Sequence, residues 1–449
     1  MRAPDETASA SAPGGVSLAQ TSPAADERGF HVLANSTLNV AGLVLANGLG
    51  ALSGLITARV LHAEGVGILA IAFGLAEFGR GLSNFTHNPS ILEYHRGADR
   101  DRLFGTSLSL KLLGVALFVG VVALLAPWLA TQLPVPAWAI LLASVGLGLG
   151  VVSEIGTARF EAEGRYGLRN AILVLGPGVA LLLTAALALV GQLTIATAIV
   201  ASLVGTLSLS IGFAIAWRGP IRVRWDKPIA RYLTTYGARL VGATFLASVL
   251  IWTDTLIIAH ILGSRAAGLY TIAFNLTFLM VTASVAIGVA LLPALSRLAG
   301  RGEDTSMGYQ RGTLIALGLA AGLAVVYVVL GRFFLGFYGA EYVEAYPALV
   351  ILTVFGLAGA MAVPAGAMLQ VHDRAGTLTL VSLAQAVVNI PLNYALISRY
   401  GITGAAVATT TVFVAGTLAL WIIVKRETGA WPLSRNVIRE ATAIARSKL

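Results

Sequence analysis

Glu77, Arg80, Asn84 and His87 interrupt one apolar stretch at i, i+3, i+7 and i+10, a spacing that puts all four on a single face of an α-helix. A charge near the middle of a hydrocarbon layer costs about 2.5–3.5 kcal/mol, so each such residue is a candidate for function. Arg80 offers a planar donor fork that suits a phosphate group better than a lysine would. Glu77, one turn earlier, either neutralises Arg80 or gives way when an anionic substrate arrives. Glu154 stands in a second apolar stretch, as a partner for Arg80 or Arg159 or as an ion-coupling carboxylate. Asp254 stands in a third, as a buried hydrogen-bonded carboxylate or as a coupling site for a proton or sodium. Glu77 is the remaining candidate for ion coupling. Gln385, Asn389 and Asn393 follow at i, i+4 and i+8 beside Pro391, available either to sugar hydroxyls or to hydrogen bonds between helices.

The elements that must position these residues lie in lipid. The chain has 449 residues, 57% hydrophobic and 11% charged, with a mean hydropathy of +0.83, against about a quarter charged for soluble domains. From Phe30 onward, twelve apolar stretches are each long enough to cross a hydrocarbon core, which needs about 20 helical residues. They cover 31–59, 66–90, 104–130, 137–160, 168–190, 194–217, 232–262, 266–295, 311–333, 344–370, 375–398 and 402–424. Continuous apolarity, without ten-residue alternation, favours helices over a barrel.

With the amino terminus inside, 25 of the 30 lysines and arginines fall on inner segments and four on outer ones, leaving Arg80 within a span. This bias predicts both termini on the cytoplasmic side. It also explains the net charge of +9 as a record of topology beside anionic membrane lipids, with no call for nucleic acid. The stretch 58–78 aligns without gaps on 259–279, with identities that include Ala58, Leu61, Gly67 and Phe73. Six spans per half predict two parallel repeats. The expected organisation is a disordered tail over 1–30, an amino-terminal bundle over 31–217, a basic linker over 218–231, a carboxy-terminal bundle over 232–425 and a basic amphipathic tail over 426–449. In that tail Leu433, Val437, Ala441 and Ile444 share a face suited to the inner leaflet or to a partner helix. His31, His62 and His260 fall at span ends, and Arg239 near an inner end where it can snorkel.

No phosphate-binding loop and no metal-ligand cluster stands in the sequence, and cysteine is absent, so no cofactor is expected. The outer connections are too short for the catalytic loop that a glycan polymerase or ligase would need.

Four stretches, TDTLIIAHILGSRAAGLYTIAFNL (253–276), LLPALSRL (291–298), YGAEYVEAYPALVIL (338–352) and NIPLNYALISRYGITGAAVATT (389–410), resemble polysaccharide and O-antigen flippases of the multidrug/oligosaccharidyl-lipid/polysaccharide exporter superfamily. The resemblance implies an all-α integral membrane fold, with two six-helix bundles around a central cavity. It implies transport of undecaprenyl-pyrophosphate-linked oligosaccharide across a bacterial cytoplasmic membrane, and polysaccharide polymerase machinery as a further partner. Asp254 matches an acidic residue common in the seventh helix of that family. Two other substrates suit the same fold. A multidrug exporter would favour acidic and aromatic cavity residues over a central arginine. A peptidoglycan-precursor flippase is expected to carry further helices after the twelfth.

Overall fold

Inside hydrocarbon every backbone amide must find its partner within the segment, so each long apolar stretch becomes a helix. The structure, a computed structural model, describes residues 23–217, 221–372 and 374–434. In chain order the helices are α1 (Pro23–Ser83), α2 (His87–His95), α3 (Arg100–Gln132), α4 (Ala137–Ala162), α5 (Tyr166–Leu173), α6 (Leu175–Leu189), α7 (Ile195–Ala216), α8 (Lys227–Leu262), α9 (Ser264–Gly300), α10 (Ser306–Tyr338), α11 (Tyr346–Val371) and α12 (Ala375–Thr428). The described residues contain no strand. Of the expected tails, 1–22 and 435–449 lie outside the described residues, whereas Pro23 to Phe30, expected in the disordered tail, already belongs to α1.

Straight, the 61 residues of α1 would measure roughly 90 Å, about three hydrocarbon thicknesses. It breaks instead at His62, whose φ of 57° and ψ of −178° are not helical. The 54-residue α12 breaks in the same way at Gly401, at φ 60° and ψ −144°. There the two arms fold back on each other: a methyl group on Gly404 would overlap the carbonyl oxygen of Leu396. Ten helices among the described residues are long and apolar enough to cross a membrane. Counting both arms of α1 and of α12 separately, the described residues supply twelve segments for the twelve crossings expected. α5 and α6 form one crossing, broken at Val174 because Pro177 has no amide hydrogen for the Leu173 carbonyl and its ring pushes that carbonyl aside.

The second crossing departs from its expected span of 66–90. Its α-helix stops at Ser83, a 3₁₀ turn covers Asn84 to Thr86, and α2 starts at His87. Pro89 is the physical reason, since it cannot donate to the Phe85 carbonyl and would clash with it in a continuous helix. α8 approaches at this break, where a methyl group on Gly237 would sit 2.5 Å from the Phe85 oxygen.

α1 to α7 pack among themselves, as do α8 to α12, and the two sets meet where α1 lies on α8 and α9. Leu113, Leu117 and Leu124 on α3, and Val325, Val329 and Phe333 on α10, are exposed on the outside of the molecule. These apolar faces are what lipid requires. The face that carries the His62 and Gly401 turns, termed the hairpin face, is fastened by charge. Glu341 accepts the Ala63 amide at 3.0 Å and lies 3.3 Å from His62 Nδ1 and 3.8 Å from Arg265 Nε. Arg265 also donates to Glu344 at 2.8 Å. The opposite face holds Arg96, Arg100 and Arg165, and Arg159, which is fully buried over the Trp217 ring at 4.2 Å.

Candidate functional site

Glu77 and Arg80 project from the second arm of α1 as the sequence predicts, with Arg80 Nη2 at 3.3 Å from Glu77 Oε1. Arg80 Nε lies 4.0 Å from Glu154 Oε1 on α4. The other oxygen of Glu154 accepts from Lys111 Nζ on α3, and Lys111 also donates to Asn84 Oδ1 at 3.3 Å. Asn84 therefore keeps its place in the cluster although its helix has ended, because the 3₁₀ turn still faces α3.

Lys111 is the member of the cluster that sequence reasoning missed. It falls among the inner-segment charges, yet its side chain is 1% exposed. Its signal was available: it stands in the fourth turn of α3, too deep for an interfacial lysine. Lys111 and Arg80 are the neighbours of Glu154, and Arg159, the other partner weighed for it, goes instead to Glu163 at 2.7 Å.

His87 does not join the cluster. The break at Asn84 to Thr86 rotates it away from the face shared by Glu77 and Arg80, and its Nε2 lies 2.9 Å from Glu161 Oε2. The other oxygen of Glu161 accepts from Arg169 Nη2 at 2.7 Å, so His87 helps tie α2 to α4 and α5.

The polar residues of α12 serve Asp254. This carboxylate is completely buried. It accepts from Asn389 Nδ2 at 2.9 Å, from Asn393 Nδ2 at 2.8 Å, from the Tyr270 hydroxyl at 2.9 Å and from the Thr409 hydroxyl. The site thus joins α8, α9 and both arms of α12. Asn389 and Asn393 are themselves buried, closed off from any sugar in this conformation, and the Asn393 side-chain oxygen has no partner among the described residues. Gln385 donates to the Val412 carbonyl at 3.2 Å and fastens one arm of α12 to the other.

A cavity of about 630 Å³ runs between α1, α4, α6 and α7, within the range of small-molecule sites. Of the described residues that line it, Arg80 and Glu154 carry charge, and the second half of the chain contributes Trp252, Thr271, Ile272 and Asn275. Trp252 packs against Gly74, and Phe78 meets Phe245 with ring centroids 6.1 Å apart. The charged cluster thus belongs to the first repeat. Its counterparts in the second repeat, Phe278 and Val281, are apolar. Chemically, the arrangement can bind an anion at Arg80 beside a roomy, uncharged chamber. Among the described residues no group of His, Cys, Asp or Glu is placed to hold a metal ion.

The family profile described as polysaccharide biosynthesis protein matches residues 56–347. A probable low-salt glycan biosynthesis flippase, Agl15 of Haloferax volcanii, is 26% identical over 196 residues. That match takes in 42% of this chain and 41% of the relative, so the chain spans about two fifths of the relative's length. Among solved structures, an inward-facing multidrug resistance MATE family transporter of the MOP superfamily superposes with a TM-score of 0.72 at 14% identity, over 87% of this chain and 98% of the other. The lipid II flippase MurJ, in an inward closed conformation, gives 0.69 at 13% identity, over 87% of each chain. A MOP superfamily transporter from Pyrococcus furiosus gives 0.59 at 12% identity, over 89% and 95%. At these identities the likeness is one of fold.

Proposed function

The chain belongs to the polysaccharide biosynthesis protein family, and from that membership we propose that it flips a lipid-linked oligosaccharide across a membrane by alternating access. The carrier in this reading is an isoprenoid pyrophosphate, undecaprenyl in the bacterial case. One observation carries it: the Arg80 guanidinium, 57% exposed, stands at a chamber wall while both neighbouring carboxylates stay within 4.0 Å. A pyrophosphate takes the Arg80 fork by displacing Glu77, while Lys111 keeps Glu154 in place. The sugars follow the phosphate and the isoprenoid remains in lipid.

The two halves rock about this site. The basic face is the cytoplasmic one in this reading, supported by the excess of arginine and lysine there, and its charge attracts the pyrophosphate and anionic lipid. Polymerase machinery on the far side would consume the product. The Glu77, Arg80, Lys111 and Glu154 cluster is electrically balanced as it stands. An incoming pyrophosphate diester brings two negative charges, and a proton taken up by Glu77 offsets one of them, which makes Glu77 the candidate for proton coupling. Asp254, buried with four donors and no cationic partner among the described residues, is the second coupling candidate, for a proton or sodium.

The test is flipping of a fluorescent undecaprenyl-pyrophosphate oligosaccharide in proteoliposomes. Arg80→Ala should slow it by about tenfold to a hundredfold, the worth of a charge-assisted hydrogen bond to phosphate, and Arg80→Lys should restore only part. Wild-type rates in Arg80→Ala would reject the assignment.

A further inference from the structure

The chamber beside Arg80 is built from one short motif used three times. SGLIT (53–57), SEIGT (153–157) and SLVGT (202–206) each place a threonine four residues after a serine, and all six hydroxyl residues line the cavity, from α1, α4 and α7. In every copy the threonine hydroxyl donates back to the serine carbonyl: Thr57 to Ser53 at 2.9 Å, Thr157 to Ser153 at 2.8 Å and Thr206 to Ser202 at 3.0 Å. Two of the serines spend their hydrogens as well, Ser53 on the Thr184 hydroxyl at 3.2 Å and Ser153 on the Gly150 carbonyl at 2.8 Å.

A hydroxyl has one hydrogen to give and two lone pairs to accept with. With their hydrogens committed to the helix backbone, these threonines face the chamber as acceptors. At the three motifs the wall therefore offers uncharged acceptors, a surface that suits a ligand rich in hydroxyl or amide hydrogens. Resting on the flippase reading above, we propose that this chamber of the first repeat is the sugar subsite. The pyrophosphate sits at Arg80 and the sugar residues nearest to it extend along the three Ser-x-x-x-Thr motifs, donating their hydroxyl hydrogens to Thr57, Thr157 and Thr206. Glycines keep the chamber open: a methyl group on Gly54 would meet nothing within 4 Å.

The experiment compares equilibrium binding of two radiolabelled probes to the purified full-length protein: undecaprenyl-pyrophosphate-linked tetrasaccharide and undecaprenyl pyrophosphate without sugar. Wild type should prefer the sugar-bearing probe by about tenfold or more, as three additional hydrogen bonds allow. T57V/T157V/T206V should bind the sugar-free probe as wild type does and lose the preference, and T57S/T157S/T206S should keep it. Gly54→Leu, whose Cβ would enter open space, should also abolish the preference and serves if the triple valine variant does not fold. A wild-type preference in Gly54→Leu, or in a folded triple valine variant, overturns the sugar subsite and leaves the flippase reading intact. So does a wild type that binds both probes equally through Arg80. A wild type that binds neither probe overturns both.

Discussion

Gly67 and Gly268 are the same residue of the two repeats, and they press backbone against backbone where the second arm of α1 crosses α9. A methyl group on Gly67 would overlap the Ser264 carbonyl oxygen and sit 3.0 Å from the Gly268 nitrogen. One on Gly268 would overlap the Ala63 carbonyl oxygen and sit 2.9 Å from the Gly67 nitrogen. The relationship is reciprocal, as a parallel repeat demands, and it shuts the hairpin face beside the Glu341 contacts with Ala63 and His62.

Adding that methyl group should hold the hairpin face open. Overpacking costs about 1–3 kcal/mol, enough to shift the closed population about 5- to 150-fold. The chain has no cysteine, so Thr271→Cys, in the cavity wall, gives a clean reporter. In a Gly268→Ala background it should react with an impermeant maleimide added from the hairpin face, whereas the Gly268 parent should stay protected. Equal labelling in both would mean that the glycine crossing is not the closure.

Lys111 should matter more for integrity than any exposed cation of the chain. Lys111→Met leaves Glu154 beside Arg80 alone, and breaking a buried pair costs about 3–5 kcal/mol. Thermal melts of the solubilised protein should show a large loss for Lys111→Met and for Glu154→Gln separately, and a smaller one for the double variant. Additive losses would mean that the pair is not coupled.

Glu77→Gln removes the one carboxylate of the cluster that is bound to Arg80 without Lys111. If Glu77 takes up a proton as the anion arrives, transport by this variant should lose the pH dependence that wild type shows, and the sugar-free probe, freed from competition with Glu77 for Arg80, should bind at least as tightly as it does to wild type. An unchanged pH profile would remove Glu77 from coupling and leave Asp254.

Asp254→Ala should destabilise the second half by at least about 2 kcal/mol, because four buried donors lose their acceptor. Asp254→Asn, which keeps one acceptor oxygen, should cost less. Both should be assayed for flipping under sodium and pH gradients. A variant that melts like wild type but ignores the gradient would mark Asp254 as a coupling site, and a variant that melts early but still responds would mark it as a structural bolt.

His62 shows how local and global demands meet. Its counterpart in the second repeat is Gly263, at φ 91°, so the hairpin at this position uses a backbone conformation that glycine adopts without strain and histidine does not. The alignment of 58–78 on 259–279 contained that information. The reason a histidine is tolerated did not appear until Glu341, 279 positions away in the chain, was found 3.3 Å from its ring.

The sequence by itself determined what depends on solvent and local geometry. Long apolar runs must become helices in lipid, repeats of six crossings must run parallel, and the face shared by Glu77 and Arg80 follows from helical periodicity. It also holds the Pro89 that ends the second crossing and the three Ser-x-x-x-Thr motifs. Only the tertiary structure decided which polar groups meet. Glu154 had several arginines within plausible reach and took Lys111, because α3 packs on α4 at that level. Asn389 and Asn393 could have faced a sugar, yet they turned to Asp254, because a buried carboxylate recruits every donor that two adjoining helices can offer. Such pairings depend on helix rotation and on contact between segments 43 residues apart for Lys111 and Glu154 and 135 apart for Asp254 and Asn389, and no local rule of the chain contains those quantities.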